Sequence, residues 1–320
     1  MDYKAIAKQV IEIEAQELKN LSNNLTDGIE KAVELIYNTK GKLVIIGVGK
    51  SGLVGAKISA TFASTGTSSF FIHPTEAMHG DLGAISKDDT VMAISYSGES
   101  EELVLLIPHL KRLNIPLIAI AKDISSTLGQ NCDIFLPIAV TKEACPLNIA
   151  PTSSTTITMA LGDAIAVCMM KKRNFKKEDF ASFHPGGTLG KKLFVKIDDI
   201  MRKTDLPIVP YGTSIKNAIL KMSEGRLGSV IVVDKNEKVK SVLSDGDLRR
   251  ALLQDSFSLD KNIETISTKN PITIKSKEIL ASEVLQIVEK HKIQLLIITD
   301  EFDKIEGVVH LHDLVEAGIK

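Results

Sequence analysis

Five short, apolar, β-branched runs at 43–46, 69–72, 90–94, 117–120 and 134–138 dominate the first half of the chain. Helical stretches separate or follow several of them, notably 53–64, 101–113 and 155–171. A strand that stays apolar on consecutive residues is one buried on both faces, and helices that return the chain to the same edge make neighbouring strands parallel. The expected fold is therefore α/β, a parallel sheet sandwiched between flanking helices. Ligands of such sheets sit beyond the C-terminal ends of the strands. Upstream, residues 3–38 predict one or two amphipathic helices. Ile6, Val10, Ile13 and Leu18, then Ala32, Leu35 and Ile36, recur at roughly helical spacing.

Three small-residue loops fall where that ligand would bind, each opening a helix. They are Gly47-Val48-Gly49-Lys50-Ser51-Gly52, Ser95-Tyr96-Ser97-Gly98-Glu99-Ser100 and Thr152-Ser153-Ser154-Thr155-Thr156. Free N–H groups at a helix start, the positive end of its dipole and short hydroxyl side chains all favour a phosphate. Any one loop could be a plain helix cap. Ser95, Ser97 and Ser100 together exceed what one cap uses. Two nucleotide readings fail on particular residues. The glycines 47, 49 and 52 satisfy a dinucleotide pattern, but the next strand runs into His73-Pro74 with no acid before Glu76 to hold a ribose. A P-loop needs glycine at position 44, which is Val44.

Beyond about residue 195 the chain repeats itself at an offset of 66 residues. Ile197 matches Ile263, Ile208 matches Ile274, Asp234 matches Asp300, Asp247-Leu248 matches Asp313-Leu314, and Ala251 matches Ala317. Each copy reads strand, helix, strand, strand, helix. Two copies too small to be stable alone bury a shared core as a pair. The expected division is 1–194 and 195–320, with repeats at about 197–255 and 263–320. A length of 320 residues suits two domains.

The net charge of −1 gives no reason to expect nucleic acid or an acidic membrane surface. No basic helix-turn-helix segment is visible in 1–40 or 195–320. Cys132, Cys145 and Cys168 form no metal-ligand spacing and are expected to be buried cytosolic thiols. The amino-terminal stretch is charged throughout, and no run approaches the roughly 18 apolar residues of a membrane span. The expected location is the cytoplasm.

The three loops resemble those of the sugar isomerase (SIS) fold. His73-Pro74, Glu76-Ala77, His79-Gly80-Asp81-Leu82-Gly83, Lys142-Glu143-Ala144-Cys145-Pro146-Leu147, the 150–156 block and His184-Pro185-Gly186-Gly187 narrow the resemblance to the arabinose 5-phosphate isomerase family. The repeat resembles a pair of CBS modules, which that family usually carries. The resemblance implies interconversion of D-arabinose 5-phosphate and D-ribulose 5-phosphate through an enediol, feeding the acid Kdo of bacterial lipopolysaccharide or capsule. It also implies a homotetramer.

Such chemistry needs a base, a polariser for the enediolate oxygen and an acid/base that opens the ring. Glu102 is the expected proton shuttle and Lys50 the cation that stabilises developing negative charge or the phosphate. His79 is expected to donate to a sugar oxygen and His184 to act in ring opening or in protonating the C1–C2 oxygens. Gly49, Ser51, Ser95, Ser97, Ser100, Thr152 and Ser153 are the expected phosphate ligands. No cofactor is required; a divalent metal caught by His79 and His184 would inhibit. CBS pairs commonly bind adenosine nucleotides or other small effectors, and Asp247 and Asp313 stand where such modules often hold a ribose, although a helix-capping aspartate is the favoured reading of each. The rival readings are a non-catalytic sugar-phosphate sensor and an isomerase of another phosphosugar.

Overall fold

The computed structural model describes residues 1–319 and divides into two compact units, Met1–Phe183 and His184–Lys320. The first unit begins with α1 (Tyr3–Asn23) and α2 (Gly28–Asn38). There follow β1 (Leu43–Gly47), α3 (Gly49–Ser64), β2 (Ser69–Ile72), α4 (Pro74–Met78) and β3 (Thr90–Ile94). Next come α5 (Glu101–Val104), α6 (Ile107–Arg112), β4 (Leu117–Ala121), α7 (Thr127–Asn131) and β5 (Ile134–Pro137). Helices α8 (Ser153–Lys172) and α9 (Lys177–Phe183) complete it. All five strands are parallel, in the order β2-β1-β3-β4-β5.

Alternate strand residues build two cores. Leu43, Ile45, Met92, Ile94, Ile118 and Ile120 face Ile58 and Phe62 of α3 and Ile157, Leu161 and Ile165 of α8. Val44, Ile46, Val91, Ala93, Leu117 and Ala119 face Leu103, Leu106, Ile107, Leu110 and Leu128 across the other side. Full burial of a side chain such as Phe62 contributes about 2–3 kcal/mol. Helix α3 lies so near α8 that a Cβ on Gly162 would stand 2.6 Å from the Ile58 side chain. Helix α8 is long and apolar enough to cross a membrane by length and composition, yet half of its most apolar window is buried inside the protein. It is a core helix packed against α1, α2 and α3.

Two expectations change. The single helix expected over 101–113 is two pieces, because Pro108 sits in the first turn of α6, where its missing N–H is tolerated, and cannot continue a helix from α5. The cysteines are not all buried: Cys132 and Cys145 are half-buried and Cys168 is exposed.

The second unit starts earlier than residue 195. Its α10 (Thr188–Phe194) is tied to it by Lys191, whose ammonium donates to the Ala317 carbonyl at 2.9 Å, and by the Ser282 hydroxyl, which donates to the Lys192 carbonyl at 2.8 Å. The first copy comprises β6 (Ile208–Pro210), α11 (Ile215–Gly225), β7 (Ser229–Val233), β8 (Val239–Ser244) and α12 (Asp245–Leu252). A short β9 (Thr268–Lys269) precedes the second copy: β10 (Thr273–Ile274), α13 (Ala281–His291), β11 (Leu295–Thr299), β12 (Ile305–His310) and α14 (Leu311–Glu316). The order strand, helix, strand, strand, helix recurs in both, as the repeat predicts.

The copies exchange edges reciprocally. Arg202 bridges to Val308 of β12, and its equivalent Thr268 pairs with Val242 of β8. Ile231 and Val242 of one copy and Ile297 and Val308 of the other fall in one cluster, so each copy covers apolar surface the other would leave wet. Arg226 and Lys292 close α11 and α13 in the same left-handed conformation.

Candidate active site

At the C-terminal edge of the first unit's sheet, β1 turns into α3 with almost no connection. Gly49 adopts φ +57°, and a Cβ on Gly52 would lie 2.6 Å from the carbonyl oxygen of Gly47. Only glycine at 52 lets the helix start this close to the strand end. No side chain caps α3, so its amino-terminal N–H groups and the positive end of its dipole are left for a ligand. Lys50 is exposed in that first turn. Ser51 is partly exposed and lines a cleft of about 160 Å³ together with Tyr96, Glu143, Ser154 and Thr155.

The loop after β3 splits its serines between two jobs. Ser95 is buried, its hydroxyl bonded to that of Ser100 at 2.9 Å and accepting the Gly98 N–H at 3.1 Å. These two serines shape the turn, in which Gly98 holds φ +71°. Ser97 is exposed, and its hydroxyl accepts the Glu99 N–H at 3.2 Å. Glu99 turns away to accept the Thr127 N–H at 2.6 Å, an interaction that holds its carboxyl below the usual range. Glu102, in the first turn of α5, is exposed. His79 closes α4, is exposed, and belongs to a helix packed beside α5.

The third loop is arranged differently from the sequence expectation. Glu143 already occupies the amino terminus of α8. Its Oε2 accepts the Thr152 N–H at 2.8 Å, the Thr152 hydroxyl at 3.1 Å and the Ser154 N–H at 3.2 Å. The Thr152 hydroxyl also accepts the Ala144 N–H at 2.8 Å, and Ser153 is fully buried. Thr152 thus serves the helix and its carboxylate, the Ser153 hydroxyl is buried without a hydrogen-bond partner among the described residues, and a phosphate here would meet a negative charge. Burial pushes the Glu143 carboxyl up, but the hydrogen bonds from Ser154 and Thr152 outweigh it and hold the group below its ordinary 4.5. Reasoning from the sequence singled out the Lys142–Leu147 block without giving Glu143 a role. The available signal was a cluster of helix-start donors with one acid nearby in the preceding loop.

A carboxyl with a depressed folded-state value stabilises the protein above its unfolded value and loses that effect as pH falls through the folded one. Glu143→Gln is therefore expected to lower stability by on the order of 1 kcal/mol at neutral pH. The gap to the wild type should close below pH 4.5, the ordinary value of a glutamate carboxyl. Thermal melts of both proteins between pH 7 and pH 3.5 check this; a gap independent of pH would exclude a charge-dependent role.

His184 heads the second unit. In that unit Asp247 and Asp313 both occupy the third helical position, the last residue of a capping box. Asp247 accepts from the Ser244 N–H and hydroxyl and pairs with Arg250, and Asp313 accepts the His310 N–H at 2.9 Å. Among the described residues no three His, Cys, Asp or Glu side chains converge as a metal would require.

The SIS domain family matches residues 35–168, and the CBS domain family matches 197–254 and 263–320. A Helicobacter pylori (strain 26695) protein is 49% identical over 100% of this chain and 98% of its own length. The arabinose 5-phosphate isomerase KdsD of Pseudomonas aeruginosa is 44% identical over 100% of this chain and 98% of its own. That of Yersinia pestis is 44% identical over 100% and 97%. An Escherichia coli CFT073 protein solved in complex with A5P superimposes with a TM-score of 0.57 at 38% identity, over 57% of this chain and 98% of its own. The sheet order, the loop geometry at its C-terminal edge, the duplicated second unit and end-to-end similarity agree: this chain belongs to the arabinose 5-phosphate isomerase family, an SIS domain followed by a CBS pair.

Proposed function

We propose that the chain interconverts D-arabinose 5-phosphate and D-ribulose 5-phosphate, an aldose–ketose isomerisation through an enediol. The observation that carries this is one cleft bounded by the uncapped start of α3 and by the Glu143 carboxylate, in a chain that matches KdsD enzymes from end to end. The two boundaries have opposite electrostatic character, which orients a sugar phosphate. The phosphate goes to the α3 turn, held by Ser51 and the N–H groups beginning at Gly49, with Ser97 beside it and Lys50 as the cation. The sugar hydroxyls point toward Glu143, whose ionised carboxylate accepts from them and repels the phosphate.

In the reaction a base takes the proton from C2 of the open-chain aldose, the electron pair moves into an enediolate, the proton returns to C1, and the C2 hydroxyl proton passes to the C1 oxygen as C2 becomes the carbonyl. Glu102 is the shuttle. A carboxylate pinned at a depressed value, as in Glu143, is a poorer base near neutral pH and suits hydroxyl binding. His79 donates to the enediolate oxygens, and His184 assists ring opening. No metal or redox cofactor takes part in this scheme; a divalent ion on His79 or His184 would inhibit. Ser51→Ala is expected to raise KM about tenfold with kcat little changed, the pattern of a lost phosphate contact, in steady-state assays. An unchanged KM would remove Ser51 from the phosphate site.

The test of the function is D-ribulose 5-phosphate in D₂O followed by NMR. Arabinose 5-phosphate carrying deuterium at C2 supports the enediol route. Saturable binding without product would make the chain a sensor instead. The product feeds Kdo for lipopolysaccharide or capsule in the cytoplasm. Expression should therefore restore growth to a strain dependent on supplied arabinose 5-phosphate, and failure would sink that placement. The exposed Tyr3, Ile6 and Ile11 of α1 support a homotetramer, to be checked by a light-scattering mass of four chains. The CBS pair takes a small-molecule or nucleotide effector, and calorimetric titrations with AMP and ATP that both show no heat would count against a nucleotide.

A further inference from the structure

The segment between β5 and α8, which carries Glu143, is fastened at both ends by one helix. Glu17 on α1 is 2% exposed. Its two carboxylate oxygens each accept the Thr141 N–H at 3.2 Å, and Oε1 also accepts the Thr141 hydroxyl. Asn20 donates to Oε2 at 3.3 Å. One turn earlier on the same face of α1, Glu14 accepts the Thr156 hydroxyl at 3.1 Å. Thr141 lies two residues before Glu143, and Thr156 lies in the first turn of α8, whose N–H groups Glu143 caps. Inside the segment the Glu143 N–H donates to Asn148 at 2.6 Å and the Ala144 N–H to the Thr152 hydroxyl. A shift at Thr141 therefore passes to Glu143 through two peptide units and a tightly bonded loop.

A carboxylate is a costly way to tie a helix to a loop. Burying a charge is unfavourable unless every lone pair is matched, and a neutral pair would serve adhesion alone. An ionised group gains by accepting several hydrogen bonds on two oxygens, which fixes the donor in direction as well as distance. Burial pushes the Glu17 carboxyl up, and the bonds from Thr141 and Asn20 outweigh it, so the group is charged at neutral pH.

We propose that Glu17 is a positioning residue for the isomerase site: through Thr141 it fixes the backbone that carries Glu143, while Glu14 steadies the α8 end of the same segment. This rests on the reading of Glu143 as the carboxylate that holds the sugar hydroxyls. Glu17→Gln keeps the shape but replaces one acceptor oxygen by a donor that faces the Thr141 donors.

Glu17→Gln in the full chain is expected to lower kcat/KM for arabinose 5-phosphate by roughly 10- to 100-fold, the cost of a misplacement near 1 Å. A merely structural residue would add its effect to that of Glu143→Gln. A positioning residue adds little, so the double variant should fall below Glu143→Gln by about threefold at most. Amide exchange of the 139–152 segment should rise in Glu17→Gln while that of the sheet strands stays unchanged. If Glu17→Gln fails to fold, Thr141→Val removes only the hydroxyl donor and should give a loss of about 3- to 10-fold with the same coupling to Glu143. A single variant within twofold of wild type, multiplicative effects in the double variant, or unchanged exchange at 139–152 would each overturn the proposal. A wild type that shows no isomerisation sinks the functional reading instead, and the exchange measurement then still decides whether Glu17 holds the segment.

Discussion

Replacing Glu102 by glutamine is expected to lower kcat by about 10²- to 10⁴-fold while KM changes little, since a proton shuttle acts in the transition state more than in binding. Glutamine has almost the same shape and cannot take a proton, so the fold should survive. Glu102 is exposed in the first turn of α5, and the two neighbouring candidates are placed differently. Glu99 is committed to the Thr127 N–H, and Glu101 sits one position earlier in the same turn. The decisive comparison is with Glu143→Gln, whose carboxylate lines the cleft but is held by three hydrogen bonds on one oxygen. If Glu102 moves the proton, Glu102→Gln slows deuterium incorporation at C2 to the same degree as turnover, and Glu143→Gln mainly weakens substrate binding. Normal deuterium exchange in Glu102→Gln together with its loss in Glu143→Gln would reverse the two roles.

The three central strands β1, β3 and β4 were the most legible because each is a nearly unbroken apolar run, a pattern set by burial on both faces and independent of distant sequence. The duplication was legible because equivalent residues such as Ile231 and Ile297 do the same packing job. The capping function of Asp247 could also be read locally, as the fourth residue of Ser244-Asp245-Gly246-Asp247, a spacing that makes a capping box. Two features were not legible for a common reason. The serine-rich loops look alike in sequence, yet only the tertiary structure shows that the start of α8 is filled by Glu143 while that of α3 has no side-chain cap. Glu17 gives no local signal either. It reads as one more acid on an amphipathic helix, and its burial depends on Thr141, far along the chain.

Gly52→Ala should be the most damaging of the minimal changes around the phosphate turn, and Gly55→Ala in the same helix supplies the control. Both gain roughly 0.5–1 kcal/mol from replacing glycine within a helix. At Gly55 the added Cβ meets only side chains, Ile45 at 3.2 Å and Ile94 and Phe71 at 3.4 Å, so a shift of a few tenths of an ångström in Ile45 is all that it asks. At Gly52 it meets the backbone oxygen of Gly47 at 2.6 Å, so the start of α3 must move off the end of β1. Overpacking of that kind costs typically 1–3 kcal/mol, more where the obstacle is main chain, and exceeds the helix gain. The displaced residues are those proposed to hold the phosphate. Gly52→Ala should therefore lower Tm by several degrees, at about 2–4 °C per kcal/mol, and raise KM about tenfold or more, whereas Gly55→Ala should leave both near wild type. Thermal melts and steady-state kinetics on the two variants separate the cases. Equal behaviour would mean that the tight strand-to-helix turn is not what shapes the phosphate end of the cleft. A KM effect confined to Gly52→Ala would tie the geometry of this one turn to substrate binding, because both substitutions add the same methyl group to the same helix, a single turn apart.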